Sequence, residues 1–365
     1  MSILSRKLHC DRVTFARKDA VAVSPSFFGQ HVHGYPGTYG IPPVSMSTVR
    51  SHDFASTGQS IRWNHLEPTK GNFSWSVMDA WVAAGEARGW DMVYVFGFPP
   101  DWAVSGSSDG LSDYGGKTNQ APTSNVDWTD YITAVVNRYK GRIKYWQGWN
   151  EPNLPKYFSD GAAGNGSVTR LSELQRLLYQ TSKTLDPAGV VLSPSCTSVF
   201  SGVTYFTQYL AASDGSSGTG AQWFDVAAYQ FYCNDNSRRV YGLCNMHRGV
   251  TGALAAAGRG GVAVWATETG LISPSFKSYS ESDKVLLLEV YLLSLAVLGV
   301  ERAIWYGIDD AIIGFSDSPA SIASWNALAA SIAGRVFGAS SIVMDANSTY
   351  TVDLGGIRRV VTAIP

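Results

Sequence analysis

Two glutamates at the ends of apolar runs are the residues of this chain best suited to chemistry. The first closes the stretch Tyr145-Trp146-Gln147-Gly148-Trp149-Asn150-Glu151-Pro152-Asn153. Residues 143–149 are rich in β-branched and aromatic side chains, which suit a buried strand, and Pro152 withdraws a ladder donor and ends it. A carboxyl at that point, among indoles and beside an amide, is costly to keep charged. Its pKa should rise, so that it holds a proton near neutrality as a general acid does. The plainer alternative is a core strand whose glutamate is simply the first solvated loop residue. The second glutamate ends Gly261-Val262-Ala263-Val264-Trp265-Ala266-Thr267-Glu268, with Gly270 opening the turn that follows. Two strand-end carboxylates in one fold make a candidate acid and nucleophile pair.

Positioning such a pair requires a repeating frame. Strands are expected at residues 27–33, 60–64, 92–98, 143–149, 190–193, 224–232, 262–267 and 302–306, with helices between them that include 45–56, 76–88, 127–139, 169–185 and, after the last strand, 318–334. The strands are continuous apolar runs, the mark of a parallel sheet covered on its outer face. Closure into an α/β (β/α)8 barrel is the most economical arrangement, and it puts Glu151 after the fourth strand and Glu268 after the seventh, at the C-terminal rim where these barrels carry their chemistry. The expected organisation is short strands over residues 1–25, a catalytic barrel over 26–335, and short strands over 336–365 that pack with the N-terminal ones.

Composition narrows the ligand. With 365 residues and 45% hydrophobic content the chain can bury a large core. A net charge of −1 and only 16% charged residues argue against nucleic acid, an anionic membrane or a polyanion as partner. Twelve Trp, 18 Tyr and 15 Phe supply flat apolar faces of the kind that stack on sugar rings, although most of them must fill the barrel. The apolar run 285–300 is interrupted by Glu289 and reads as a helix of the fold rather than a membrane span. No apolar stretch follows Arg6, Lys7 and His9, so no secretory leader is read there; extracellular action is the expectation, by virion association, non-standard export or trimming of the chain. Cys10, Cys196, Cys233 and Cys244 have no zinc spacing; Cys233 and Cys244 flank a polar loop and are either a disulfide or two thiols.

Trp149-Asn150-Glu151-Pro152, together with Thr267-Glu268-Thr269-Gly270, resembles clan A of the retaining glycoside hydrolases. Ile61-Arg62-Trp63, then Glu67-Pro68-Thr69-Lys70-Gly71-Asn72-Phe73-Ser74-Trp75 with Asp79, then Pro99-Pro100-Asp101-Trp102, is similar to glycoside hydrolase family 39 and its relatives that act on bacterial exopolysaccharides, over about residues 27–335. The resemblance implies a two-glutamate double displacement at β-glycosidic bonds, endo-acting on a polysaccharide, with exo-action as the alternative and no cofactor. A carbohydrate is the only partner expected, and the chain is expected to be a monomer.

The same resemblance implies roles for single residues. Glu151 is the acid/base and Glu268 the nucleophile. Asn150 matches the amide that bonds the hydroxyl beside the anomeric carbon, Arg62 the arginine neighbouring the nucleophile, and Tyr232 the tyrosine bonded to it. Gln230 stands where the clan often has histidine. Trp305 matches the aromatic floor under the cleaved sugar, with Tyr306 the alternative, because one residue of register exchanges the faces. His31 and His33 share a strand face by the period of two, and either bond sugar hydroxyls or support the site from behind. Trp102, Trp149, Tyr157 and Phe158 are candidates for stacking in a cleft or for loop packing, and the long loops 105–124 and 234–243 are candidate walls.

Two rival readings have distinct signatures. A metal-dependent amidohydrolase would use His31, His33 and Asp309 or Asp310, but needs further histidines after the fifth and sixth strands, where Ser193-Pro194-Ser195-Cys196 and Tyr229-Gln230-Phe231-Tyr232 supply none. A silent glycan-binding barrel has no need of paired carboxylates.

Overall fold

A computed structural model describes residues 14–34, 44–56, 58–159, 167–198, 201–233, 239–272, 275–308, 310–344 and 349–361. Two short strands, β1 (Thr14–Arg17) and β2 (Val21–Ala22), precede the central sheet. That sheet is built from β3 (Phe28–His31), β4 (Thr48–Ser51), β7 (Asp91–Val95), β8 (Tyr145–Gln147), β9 (Val190–Leu192), β10 (Cys196–Thr197), β11 (Ala227–Cys233), β12 (Val264–Leu271) and β13 (Arg302–Tyr306). A small hairpin, β5 (Ala55–Ser56) and β6 (Gln59–Ser60), follows β4. The helices are α1 (Trp63–Leu66), α2 (Ser76–Glu86), α3 (Asn125–Tyr139), α4 (Val168–Leu185), α5 (Gly202–Ala211), α6 (Arg239–Ala256), α7 (Glu281–Leu298) and α8 (Pro319–Ile332).

The strand order is β10-β11-β12-β13-β3-β4-β7-β8-β9, and every pairing in it is parallel. The first and last members of that order are two halves of one strand position, separated only by Ser193-Pro194-Ser195, where the proline cannot donate to a ladder. The Ser193 amide donates to the Val226 carbonyl at 2.9 Å, and the Glu151 amide to the Ser195 carbonyl at 2.9 Å. The sheet therefore meets itself, and eight strand positions close into a (β/α)8 barrel.

The second barrel strand is not where the sequence pattern places it. Residues 45–56, expected to be helical, contain β4, and residues 60–64 hold the end of β6 and the start of α1. Thr48 and Val49 are β-branched and pair between β3 and β7, Val49 opposite Gln30 and Met92, which outweighs the helical reading. Trp63 meanwhile stacks on Tyr131 of α3 at 4.4 Å between ring centroids, which draws α1 into the outer layer.

The lower half of the barrel is plugged by Val93, Tyr145, Leu192, Val226, Ala228, Trp265 and Ile304. Arg302 lies among them, its guanidinium donating to the Thr48 and Tyr145 hydroxyls at 2.6 Å each and pairing with Asp91 at 2.7 Å. Such a packed plug closes the lower end of the barrel and leaves its upper rim open to a ligand. On the outside, α7 is apolar nearly all round because it lies between the barrel and a second sheet. That sheet runs β1-β15-β16-β17, using β15 (Ser340–Met344), β16 (Tyr350–Leu354) and β17 (Ile357–Val361), while β14 (Val336–Phe337) pairs with β2. Glu289, the interruption in the apolar run, is bound by Arg359 of β17 and Ser324 of α8. Among the described residues no helix is long and apolar enough to cross a membrane.

Candidate active site

Backbone irregularity places both glutamates. Glu151 follows β8 with φ +43°, a left-handed conformation that a non-glycine residue adopts only when its surroundings enforce it. Here its amide is tied to the Ser195 carbonyl, its carbonyl accepts from the Leu154 amide at 2.9 Å, and Asn153 accepts from the Thr197 amide at 2.9 Å, so the loop is stitched to β10. Glu268 lies in a bulge of β12. The pairing steps from Tyr229–Ala266 to Gln230–Glu268 on one side and from Ala266–Ala303 to Thr269–Trp305 on the other, so β12 carries one extra residue against both neighbours. An inserted residue reverses the alternation and re-aims the side chains beyond it.

Both carboxyls line one cavity of about 360 Å³ at the C-terminal rim, together with His52, Asn150, Tyr157, Thr197, Tyr232 and Tyr306. Arg50 lies beneath it, fully buried, and each of its N–H donors is used. Nη1 donates to Glu268 Oε1 at 2.5 Å and to His31 Nδ1 at 3.2 Å. Nη2 donates to Asn150 Oδ1 at 2.7 Å and Ser195 Oγ at 3.5 Å, and Nε to Gln147 Oε1 at 2.7 Å. A rigid guanidinium with five committed donors fixes the groups around it in a way that lysine cannot. Glu268 Oε2 accepts from the Tyr232 hydroxyl at 2.7 Å. Burial and the Glu268 charge push the Tyr232 phenol well above its ordinary range, so it stays a donor.

Glu151 is held differently, with no arginine bonded to its carboxyl among the described residues. Burial, and then the charge of Glu268, push its carboxyl up to about 8 against an ordinary 4.5, while Thr197 and Lys156 oppose the shift. One carboxyl thus keeps its proton at neutral pH, while the other accepts from an arginine and a phenol. A carboxyl raised by burial, facing one that accepts from an arginine and a phenol, is an arrangement able to divide an acid role from an acceptor role.

The other candidate residues fall into two groups. Asn150 and Tyr232 line the cavity, and Gln230, fully buried, donates from Nε2 to Asn150 Oδ1 at 2.8 Å. His31 and His33 do share a face, with ring centroids 4.9 Å apart, but His31 is buried behind Arg50 and neither lines the cavity. The arginine on Glu268 is Arg50 rather than Arg62. The Arg62 guanidinium lies 4.1 Å above the Tyr114 ring, because residues 60–62 lead into α1 instead of forming a barrel strand. Trp305 is fully buried on the outer face of β13 against Phe276, Tyr291 and Phe315, and donates to the Ile313 carbonyl. Tyr306, the next residue, faces the cavity instead. Trp102 packs edge-on against Trp63 and donates to the Glu67 carbonyl at 3.0 Å, outside the cavity. Trp149 and Phe158 are buried against each other at 4.8 Å, whereas Tyr157 reaches the cavity. Cys233 and residues 234–238, which bear on the proposed disulfide and on the loop 234–243, lie outside the described side chains, as does Asp309.

Several residues of the site carry weak sequence signals. Arg50, His52 and Asp53 follow Val49 at the end of β4, where a β-branched pair running into a polar cluster is the trace of a strand end. Tyr114 lies inside the loop 105–124 and donates or accepts with His52 Nε2 at 3.0 Å. The loop is tied to the one after β8 by the Asp113–Lys156 pair at 2.6 Å and by Asn119 donating to the Pro155 carbonyl at 2.9 Å. Among the described residues, the groups with metal-ligand composition are His31, His33 and Asp53, and His31, His52 and Glu268. His31 fits a ligand role poorly, since Arg50 occupies its Nδ1 and Asp53 its Nε2.

The (β/α)8 fold is shared with solved structures of glycoside hydrolases. A family 39 glycoside hydrolase from Bacteroides cellulosilyticus WH2 superposes with a TM-score of 0.62 at 17% identity, over 94% of this chain and 71% of that one. A glucosidase from Croceicoccus marinus gives 0.61 at 13% identity, over 95% and 77%, and a β-xylosidase from Caulobacter crescentus 0.59 at 17%, over 93% and 77%. At these identities the likeness establishes the (β/α)8 fold. In sequence, the chain is 27% identical over 96 residues to an endo-1,4-beta-xylanase A of Fusarium oxysporum f. sp. lycopersici, a match spanning 25% of this chain and only about a quarter of the xylanase, 26%. No family model matches the chain.

Proposed function

We propose that the chain is a retaining glycoside hydrolase cleaving β-glycosidic bonds, with Glu268 as nucleophile and Glu151 as acid and base. The observation that carries this reading is the division of labour in one cavity: a carboxyl raised by burial opposite a carboxylate held by Arg50 and Tyr232. Glu268 attacks the anomeric carbon while Glu151 gives its proton to the leaving oxygen. Glu151, now charged, takes a proton from water, whose oxygen displaces Glu268 and restores both groups. Retention on this scheme requires the carboxyls to flank a single sugar at about 5–5.5 Å, the spacing that leaves no room for an intervening water. Asn150, its oxygen fixed by Arg50 and Gln230, presents its amide to the hydroxyl beside the anomeric carbon.

The substrate we propose is a β-linked polysaccharide cut internally, with bacterial exopolysaccharide and xylan the first polymers to test; the xylanase and β-xylosidase likenesses support the second. One observation favours exo-action instead. The loops joined by Asp113–Lys156, with Tyr114 and Tyr157 ring to ring at 5.9 Å, stand as a wall beside the cavity. Short oligomers at early times indicate internal cleavage, and monosaccharide alone indicates exo-action.

Azide rescue tests the roles themselves. Glu268→Ala should convert an activated β-glycoside to the α-glycosyl azide, and Glu151→Ala to the β-glycosyl azide. The opposite pairing would exchange the two assignments.

A further inference from the structure

Behind the cavity, the chain of contacts from Glu268 continues through Arg50 and His31 to the carboxylate of Asp53. Arg50 Nη1, which bonds Glu268, also bonds His31 Nδ1 at 3.2 Å, and His31 Nε2 lies 2.7 Å from Asp53 Oδ1. An arginine can only donate, so His31 Nδ1 is the ring's acceptor, and Nε2 carries the proton that it gives to Asp53. We propose that Asp53 is a positioning residue for the nucleophile, holding His31 in the tautomer that orients Arg50 and, through it, both Glu268 and Asn150. This rests on the glycosidase reading and adds to it a residue remote from the sugar.

The surroundings of Asp53 fit that role. His33 Nε2 and His52 Nε2 each lie 3.6 Å from its second oxygen, Oδ2, and the Tyr114 hydroxyl donates to it at 3.5 Å, so the carboxylate is surrounded by polar groups that follow β3 and β4 and by one from the loop 105–124. Arg62 and the Tyr306 phenol also feel its charge. Burial alone would raise the Asp53 carboxyl, but His52, His31 and His33 bring it well below the carboxylate range and keep it an acceptor. Burial lowers His31 in turn, which keeps its ring neutral with one donor and one acceptor. A neutral ring of fixed tautomer between an arginine and a carboxylate sets the arginine's direction without adding a second positive charge beside it.

Asp53→Leu removes the acceptor, and Asp53→Asn keeps one acceptor oxygen in nearly the same volume. On a dinitrophenyl β-xyloside or β-glucoside, Asp53→Leu should lower kcat by roughly 10²-fold, the scale on which a misplacement of about 1 Å acts, while KM changes little. Asp53→Asn should recover most of that loss. Equal kcat in wild type and Asp53→Leu, or a loss confined to KM, overturns the proposal. A measurement needing no variant guards against misfolding: nitrogen-15 NMR of the wild-type imidazoles should show His31 protonated at Nε2 and bare at Nδ1 throughout the active pH range, and the reverse tautomer overturns the relay. Labelling of wild-type Glu268 by a deoxyfluoro glycoside tests the underlying reading separately. Label on Glu268 with the reverse His31 tautomer removes only Asp53's role, and no label removes the nucleophile assignment itself.

Discussion

The raised carboxyl of Glu151 makes stability and activity depend on pH in a direction opposite to that of most acidic residues. Its folded-state value of about 8 lies above the ordinary 4.5. Between those limits the native state therefore binds a proton that the unfolded chain has released, and stability falls as pH rises. Below about 4.5 the contribution is constant; above about 8 both states are charged and the loss is complete. A shift of that size corresponds to at most about 5 kcal/mol, at about 1.4 kcal/mol per pH unit. Glu151→Gln removes the titration while keeping the shape of the neutral acid. The difference in unfolding free energy between variant and wild type, from urea titrations at several pH values, should grow in favour of the variant from pH 5 to pH 8 and then level off. Asp53, whose carboxyl is depressed, acts at the other end: its contribution is present above the ordinary carboxylate range and is lost as pH falls through its lowered value, so it does not interfere with this window. In activity, kcat/KM of the wild type should fall on the alkaline side with a midpoint near 8. Glu151→Ala should lose that limb on a dinitrophenyl glycoside, whose leaving group needs no acid. A variant and wild type whose stabilities run parallel across pH 5–8, or an alkaline limb centred below 6, would refute the claim that burial keeps Glu151 protonated.

Four further outcomes follow from the geometry. Arg50→Lys keeps a charge but has three donors for five acceptors, so at least two buried acceptors lose a partner at about 1–3 kcal/mol each; thermal melting should fall and kcat should drop at least 10²-fold. Tyr232→Phe removes one hydrogen bond to a charged oxygen, about 1.5–3 kcal/mol if it is fully expressed in the transition state, and kcat/KM should fall about 10- to 100-fold with the melting temperature nearly unchanged. Tyr306→Ala should raise KM, whereas Trp305→Ala should lower stability by about 3–5 kcal/mol through the cavity it leaves in the outer layer, a contrast that steady-state kinetics and urea unfolding separate. Dialysis against a chelator should leave turnover intact, and restoration of lost activity by zinc would instead assign His31, His33 and Asp53 to a metal.

The barrel is legible in the sequence because most of its strands are apolar runs followed by a helix-length segment, and the two clearest runs lead to the glutamates, Glu151 after β8 and Glu268 within β12, which continues three residues beyond it. What escapes is the short strand. β4 has four residues, one of them an arginine, and its apolar content is a single valine, so periodicity favours the neighbouring segment around Ile61 and Trp63. The arginine of the site is displaced with it, from Arg50 to Arg62. The exchange of Trp305 for Tyr306 has a different origin. Along β13, Arg302 and Ile304 face the barrel interior while Ala303 and Trp305 join the outer core, and nothing local to a run of five mostly apolar residues states that parity. His31 and His33 share one face, as the period of two requires, but whether they meet sugar or Arg50 depends on β4, whose position the apolar pattern does not show.

The two irregularities that aim the carboxyls do not follow from residue propensity, and they point to where the fold gives up local comfort. A regular β12 would alternate strictly, and with Ala266 outward, in the register of Ala303, the side chain two residues on would also face outward into the helical layer. The extra residue in the bulge changes that parity and turns Glu268 toward Arg50 and Tyr232. On the facing side Glu151 sits at positive φ, an arrangement that costs of order 1 kcal/mol and is held by the bonds of its own amide and carbonyl and by the bond that the Thr197 amide of β10 donates to Asn153. Glycine at 151 would relax the backbone but delete the carboxyl proposed as the acid, and asparagine, which tolerates the left-handed region, would keep the loop but carry no carboxyl proton to give. Glu151→Asn is therefore expected to be at least as stable as Glu151→Gln by urea unfolding and equally unable to cleave unactivated glycosides. A less stable Glu151→Asn would show that the backbone there is not strained, and that the position of the acid is set by its side-chain contacts alone.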